Sequence, residues 1–208
     1  MTAIAASASF LHHFQPASVA GKRPLLLLHG TGGDESDLLP LGETVSPGAA
    51  LLSPRGKVLE HGMPRFFHRL AEGVFDEDDV IAQAHALADF VAESIERYRI
   101  EKPIALGFSN GANIAAALLL LRPEVLSGAV LLRAMPPLAS PPDLSGLPGK
   151  PVLILSGRND PIVPANGAAR LAEQLRSRGA AVTQETLPTG HGLTQQDVTL
   201  TQAFLKAI

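Results

Sequence analysis

Six short, mostly apolar runs of strand length, each closed by a turn signal, constrain this chain more than any other feature. They are Leu25–His29, Ala50–Ser53, Ile104–Phe108, Ala129–Leu132, Val152–Ser156 and Val182–Leu187, with a weaker candidate at Ser9–Gln15. A strand apolar on both faces must be covered on both. Its parallel partner is reached only through a crossover, which lays a helix on one face. The segments between the runs supply those helices. Over Asp79–Tyr98, Ile81, Ala84, Leu87, Ala88, Val91 and Ile95 share one helical face, with charges opposite. Asn110–Leu121 is apolar almost all round, as suits a helix buried against a sheet. Pro164–Arg178 and Thr194–Ile208 are amphipathic, the former closing at Gly179 in a C-cap position. Pro136–Pro151, rich in Pro, Ser and Gly, reads as a surface loop. The expectation is an α/β fold: a mostly parallel, doubly wound sheet of about seven strands flanked by helices, in one domain over residues 1–208.

Composition removes whole classes of function. Hydrophobic residues make up 46% and charged residues only 18%, enough apolar material for a core and far from a disordered balance. The net charge is −3 and no basic block exists, which argues against nucleic-acid binding through phosphate neutralisation. Cysteine is absent, so disulfide scaffolds, thiolate metal sites and cysteine nucleophiles are excluded together. The longest apolar run, Ile114–Leu121, is far short of the ~20 residues of a membrane span. No cation precedes Lys22, so the apolar start lacks the charged opening of a secretory signal. The expectation is a soluble, cytoplasmic protein.

In parallel sheets, ligands gather where the carboxyl ends of the strands meet the following turns. After Ile104–Phe108 comes Gly107-Phe108-Ser109-Asn110-Gly111, a G-x-S-x-G between a strand and a helix. Such a turn lifts the serine hydroxyl to the sheet edge, at the positive end of the following helix. The competing reading is a tight turn whose serine caps that helix. A serine nucleophile needs a base, and the base needs an orienting carboxylate. Of seven histidines, His85 lies inside a helix, His12 and His13 in the weak first strand, and His29 against a glycine loop in a structural position. His191, in Thr189-Gly190-His191-Gly192, follows the last strand on a loop free to present its ring. Asp160, in Gly157-Arg158-Asn159-Asp160-Pro161, follows the strand before it; its alternative is a turn or N-cap aspartate. Asp160 is accordingly preferred as the acid over Asp143, Asp197 and Glu185. Ser109, Asp160 and His191 fall in the nucleophile–acid–base order of α/β-hydrolases.

Acyl transfer also needs N–H donors where the oxyanion forms. The loop His29-Gly30-Thr31-Gly32-Gly33 follows a strand, so the Thr31 N–H and the Asn110 N–H are the candidates. Phosphate-binding readings of the glycines fail. The sixth position of G-x-G-x-x-G, counted from Gly30, is Glu35, and Gly149-Lys150 is followed by Pro151. No metal-ligand spacing occurs, so neither metal nor cofactor is expected.

With these motifs placed, the chain resembles the phospholipase/carboxylesterase branch of the α/β-hydrolases, related to the dienelactone hydrolases. The likeness runs from Leu25–Gly33 through Ser53-Pro54-Arg55-Gly56, Gly107–Gly111 and Ser156–Pro164 to Gly190–Gly192. The stretch Arg65–Phe67, with Phe75–Asp79, is similar to bacterial carboxylesterases linked to hydroquinone stress. The resemblance implies a minimal α/β-hydrolase without a large lid, since no insertion long enough for one separates the strands. Met63-Pro64-Arg65-Phe66-Phe67 is similar to a stretch that walls the family's acyl pocket, which makes Phe66 a substrate-binding candidate. Thioesterase members carry Trp there, and this chain has none. Met135, just after Ala129–Leu132, is a second pocket candidate, with core packing as its alternative. Arg65 and Arg133 beside them read as solvated arginines, with contact to an anionic substrate group as the alternative. The implied function is a serine carboxylesterase for short-chain or aromatic esters. The alternatives are an acyl thioesterase and a non-catalytic module that binds a small molecule. The implied partner is a small-molecule ester, with no nucleic acid and no membrane. Because family members are often dimers, the resemblance also allows a homodimer.

Overall fold

The computed structural model describes residues 10–142 and 146–208; Ser9, the start of the weak first run, and Asp143 lie outside them. Strands β1 (His12–Gln15), β2 (Leu25–Leu28) and β3 (Leu51–Pro54) open the chain, with α1 (Leu39–Val45) between the last two. Two small hairpins follow, β4 (Val58–Glu60) with β5 (Met63–Arg65) and β6 (Arg69–Ala71) with β7 (Val74–Phe75). Next come α2 (Glu77–Tyr98), β8 (Ile104–Phe108), α3 (Asn110–Leu121), β9 (Gly128–Leu132), β10 (Pro151–Gly157), α4 (Gly167–Arg176), β11 (Ala181–Leu187) and α5 (Gln195–Ala207). Seven strands form one sheet in the order β1-β3-β2-β8-β9-β10-β11. All its pairs are parallel except β1 with β3. The expected mostly parallel, doubly wound sheet is therefore present.

Side-chain alternation explains why continuous apolar runs were needed. Leu26, Leu28, Leu52, Ala105, Leu131 and Ile154 enter one buried cluster together with α2, α3 and α4. Their neighbours Leu25, Leu27, Leu51, Leu106, Val130 and Leu155 enter another, closed by α1 and α5. Each strand thus feeds two cores, which only an apolar residue at every position allows. All twelve residues of α3 are buried. Past α4, the Gly179 N–H reaches the Arg176 carbonyl and the Ala180 N–H that of Leu175, the paired bonds of a Schellman ending with Gly179 at φ 94°.

Chain direction reverses between β2 and β8. From β2 the chain moves to β3 on one side, then crosses over α2 to β8 on the other. At such a switch point the turns after the two central strands splay apart and leave a crevice. Leu28 and Gly107 pair across it, so His29–Gly33 and Gly107–Gly111 form its two lips.

Candidate active site

Ser109 sits at the β8–α3 junction with φ 52° and ψ −115°, a conformation that non-glycine residues adopt only under strain of ~1–3 kcal/mol. The turn is held by the Ser109 N–H on the Leu132 carbonyl (2.9 Å) and the Asn113 N–H on the Ser109 carbonyl (3.0 Å). Its glycines are there for space. A Cβ on Gly107 would stand 2.5 Å from the Gly111 carbonyl oxygen, and one on Gly111 only 1.9 Å from that of Leu28.

His191 Nε2 lies 2.9 Å from Ser109 Oγ, and His191 Nδ1 lies 2.8 Å from Asp160 Oδ2. The three residues chosen from separate post-strand turns are thus joined in one hydrogen-bonded row. Asp160 Oδ1 accepts the N–H groups of Ile162 (2.8 Å) and Val163 (3.1 Å), which fix the carboxylate from behind. Burial alone would raise this carboxyl. The Val163 amide, the His191 ring and the Ile162 amide outweigh it and hold Asp160 below the ordinary aspartate range. The Phe108 ring packs at 5.3 Å from the imidazole, which stays partly open to the cleft at 18% side-chain exposure.

The opposite lip belongs to Thr31. Neither the Thr31 N–H nor the Asn110 N–H enters a hydrogen bond among the described residues, and both residues line the same cleft as Ser109 and His191. The loop is braced on both flanks. Gly32 donates to the Pro64 carbonyl at 3.0 Å, and Arg65 Nη1 donates to Thr31 Oγ1 at 3.0 Å. Glu35, useful in the sequence only for rejecting a phosphate loop, takes a two-pronged bond from Arg55 through Nε and Nη2. His29 is structural, as its place against the glycines suggested. Its Nδ1 meets the Gly30 carbonyl at 2.6 Å and its Nε2 accepts the Gly56 N–H at 3.0 Å. Burial lowers its pKa, in keeping with a neutral ring.

The cleft over Ser109 encloses about 350 Å³ and is walled by Phe75, Phe108, Met135, Ile162 and Val163, with Arg69 and Glu72 at the hairpin side. A larger hollow of about 460 Å³ lies at the amino ends of β2 and β8, far from any of these groups. Met135 is therefore in the wall, held by its N–H on Asn113 Oδ1 at 2.9 Å. Phe66 is not. It is 2% exposed, packed in the larger core against His29, with its N–H on Asn110 Oδ1. The aromatic residues of the wall are Phe108 and Phe75, the latter from a two-residue strand too short to announce itself in the sequence.

Both arginines read as solvated are buried, Arg65 at 3% exposure and Arg133 at 0%. Arg65 is occupied by Glu60, Thr31 and the Phe67 carbonyl. Arg133 is occupied by Asp197 and by backbone carbonyls around His191. Sequence offers no charge partner for Arg133 nearby, because Asp197 stands 64 positions away. Among the described residues, no group of three or more His, Cys, Asp or Glu is placed to hold a metal ion, and no helix is long and apolar enough to cross a membrane.

A model of the phospholipase/carboxylesterase family matches residues 14–208. The putative hydrolase MhqD of Bacillus subtilis (strain 168) is 46% identical over 186 residues, which is 88% of this chain and 92% of that protein. The crystal structure of the Bacillus cereus carboxylesterase superposes with a TM-score of 0.92 at 45% identity, over 97% of this chain and 96% of that one. A carboxylesterase from Mesorhizobium loti gives 0.85 at 32% identity, over 89% of each chain.

Proposed function

The chain belongs to the phospholipase/carboxylesterase family of α/β-hydrolases, and from that premise we propose that it hydrolyses short-chain or aromatic carboxylic esters through an acyl-enzyme on Ser109. The observation that carries this reading is the unbroken row Asp160–His191–Ser109, whose hydroxyl opens into the cleft. With its Nδ1–H directed at Asp160, the His191 ring presents an unprotonated Nε2 to Ser109 Oγ. As Oγ attacks the ester carbonyl carbon, Nε2 takes the hydroxyl proton. The charge that develops on the carbonyl oxygen meets the Thr31 N–H from one lip and, from the other, the Asn110 N–H at the start of α3, where the helix dipole adds to it. His191 then hands its proton to the departing alkoxide or phenoxide. A water attacks the acyl-Ser109 carbonyl in the same way, with His191 as base, and releases the acid. Asp160 keeps the tautomer and stabilises the imidazolium without itself taking the proton.

Cleft size supports the substrate class. About 350 Å³ lies at the small end of the usual range for ligand sites. Phe75, Phe108, Met135, Ile162 and Val163 give the wall apolar surface, which suits a short acyl or aryl group. The test is hydrolysis of p-nitrophenyl acetate, butyrate and octanoate, and of a butyryl thioester, by the protein beside Ser109→Ala. Turnover of the short oxyesters that disappears in Ser109→Ala is the expected result. Equal turnover in both proteins removes Ser109 from the role. A thioester preference moves the substrate class, and stoichiometric binding without turnover restores the binding-module reading.

A further inference from the structure

His191 stands on a loop with glycine on either side, the least restrained backbone available for a group that must stay within hydrogen-bond reach of two partners. What restrains it is Arg133. The guanidinium Nε donates to the Gly190 carbonyl at 3.1 Å, and Nη2 donates to the Gly192 carbonyl at 2.9 Å. One planar group thus holds the carbonyl of the glycine on each side of the histidine. Its other donors face away from the loop: Nη1 to the Leu155 carbonyl (3.3 Å) and Asp197 Oδ1 (2.7 Å), and Nη2 to Asp197 Oδ2 (2.9 Å). All five N–H groups are engaged, the full complement of a guanidinium.

Asp197 is equally committed. It occupies the third position of α5 and closes that helix's capping box, its Oδ2 accepting the Thr194 N–H (2.8 Å) and the Thr194 hydroxyl (2.9 Å). Burial would raise its carboxyl, but Arg133 and Thr194 hold it below the ordinary range. Arg133 itself follows β9 at φ 58°, a left-handed position unusual for a side chain of its size, and its N–H is fixed on the Leu155 carbonyl at 2.8 Å.

We infer that Arg133 and Asp197 are positioning residues for hydrolysis, a buried clamp that sets where His191 stands relative to Ser109. The inference rests on the reading of His191 as the base. Stability alone does not account for the arrangement. A buried ion pair is often replaced by apolar residues of similar volume without loss of stability, whereas no apolar side chain can hold two carbonyls. A displacement of about 1 Å in a catalytic group costs ~10²-fold in rate. Arg133 also stands at the back of the cleft, fully buried there, so loosening the clamp should lower kcat far more than it changes KM.

The experiment measures kcat, KM and thermal melting for Arg133→Lys, Asp197→Asn and the double variant Arg133→Met/Asp197→Leu, with His191→Ala alongside. The double variant is expected to melt near the wild type and to lose roughly 10²-fold in kcat, with KM changed by no more than about twofold. Arg133→Lys retains a cation for Asp197 but lacks the fork. It is expected to lose at least about tenfold in kcat with KM held, and it carries the test if the double variant does not fold. Folded variants with wild-type kcat, or a loss confined to KM, overturn the clamp. Retained turnover in His191→Ala instead overturns the base assignment beneath it, so the two failures are distinguishable.

Discussion

Replacing Asp160 by Asn isolates the orienting acid with the loss of one charge and no change in shape. The consequence follows from what each carboxylate oxygen holds. Oδ1 receives two backbone N–H groups and Oδ2 receives the imidazole Nδ1–H. An Asn side chain has one oxygen to offer. Directing it at His191 would turn an NH₂ group onto the Ile162 and Val163 amides, sacrificing two bonds worth ~1–2 kcal/mol each. The amide therefore keeps its oxygen on the turn and presents NH₂ to His191. That donor selects the tautomer with the proton on Nε2, which then points a hydrogen at Ser109 Oγ and cannot accept one. The expected loss is about 10⁴-fold in kcat, ~5.5 kcal/mol of transition-state stabilisation. Because both turn bonds survive, the melting temperature should stay close to wild type. Initial rates with p-nitrophenyl acetate and a thermal melt by circular dichroism measure both quantities. A folded Asp160→Asn enzyme with more than about a tenth of the wild-type kcat would refute the tautomer argument, and a large drop in melting temperature would refute the assignment of the amide's orientation.

Three further outcomes are expected. Ser109→Gly and Ser109→Ala should both be inactive, but the glycine variant should be the more stable by ~1 kcal/mol, because Ser109 sits at φ 52° and ψ −115°; equal stability by calorimetry would mean the turn stores no strain. Phe66→Ala should cost ~3–5 kcal/mol in denaturant unfolding with little change in KM, since Phe66 lies in the core and not in the cleft wall; a raised KM in a stable variant would return Phe66 to the pocket. Asp160 and Asp197 are held below their unfolded values, so each contributes stability that is complete above ~pH 3.9 and is lost as pH falls through the folded value. The melting temperature should fall on acidification below about pH 4, less steeply in Asp197→Asn, and a flat profile in the wild type would contradict both pairings.

How far the molecule was legible in its sequence depended on the length of each signal. Asn110–Leu121 was bounded to the residue, because an all-apolar stretch framed by a glycine turn and Arg122 admits one reading. The core strands were off by a residue or so at their ends, where hydrogen bonding rather than hydrophobicity sets the limit. The seven-residue α1, with Pro40 and Gly42 inside it, was missed because both are poor interior helix formers. The two hairpins were missed because strands of two or three residues show no period. Ser109, Asp160 and His191 were findable because each follows a strand and carries its own turn residues. Arg133 also follows a strand, and Thr194 with Asp197 has capping-box spacing, so two signals pointed there. What joins them is a contact across 64 residues, and only the fold supplies that.

The strand order also governs when this molecule becomes itself during synthesis. From β2 onward, β8, β9, β10 and β11 add to one side of the sheet in the order in which they leave the ribosome. Each new strand finds a finished edge waiting, and no earlier piece must be prised apart to admit it. A protein that emerges from its amino end, at ~5–20 residues per second, can therefore assemble as it appears. Ser109, the proposed nucleophile, is in place by the middle of the chain. His191, the proposed base, hangs between β11 and α5, and Asp197, which completes the proposed hold on it, lies in α5. On that reading, a chain that has not yet made α5 is a folded edge without a working centre, and reactivity waits for that helix.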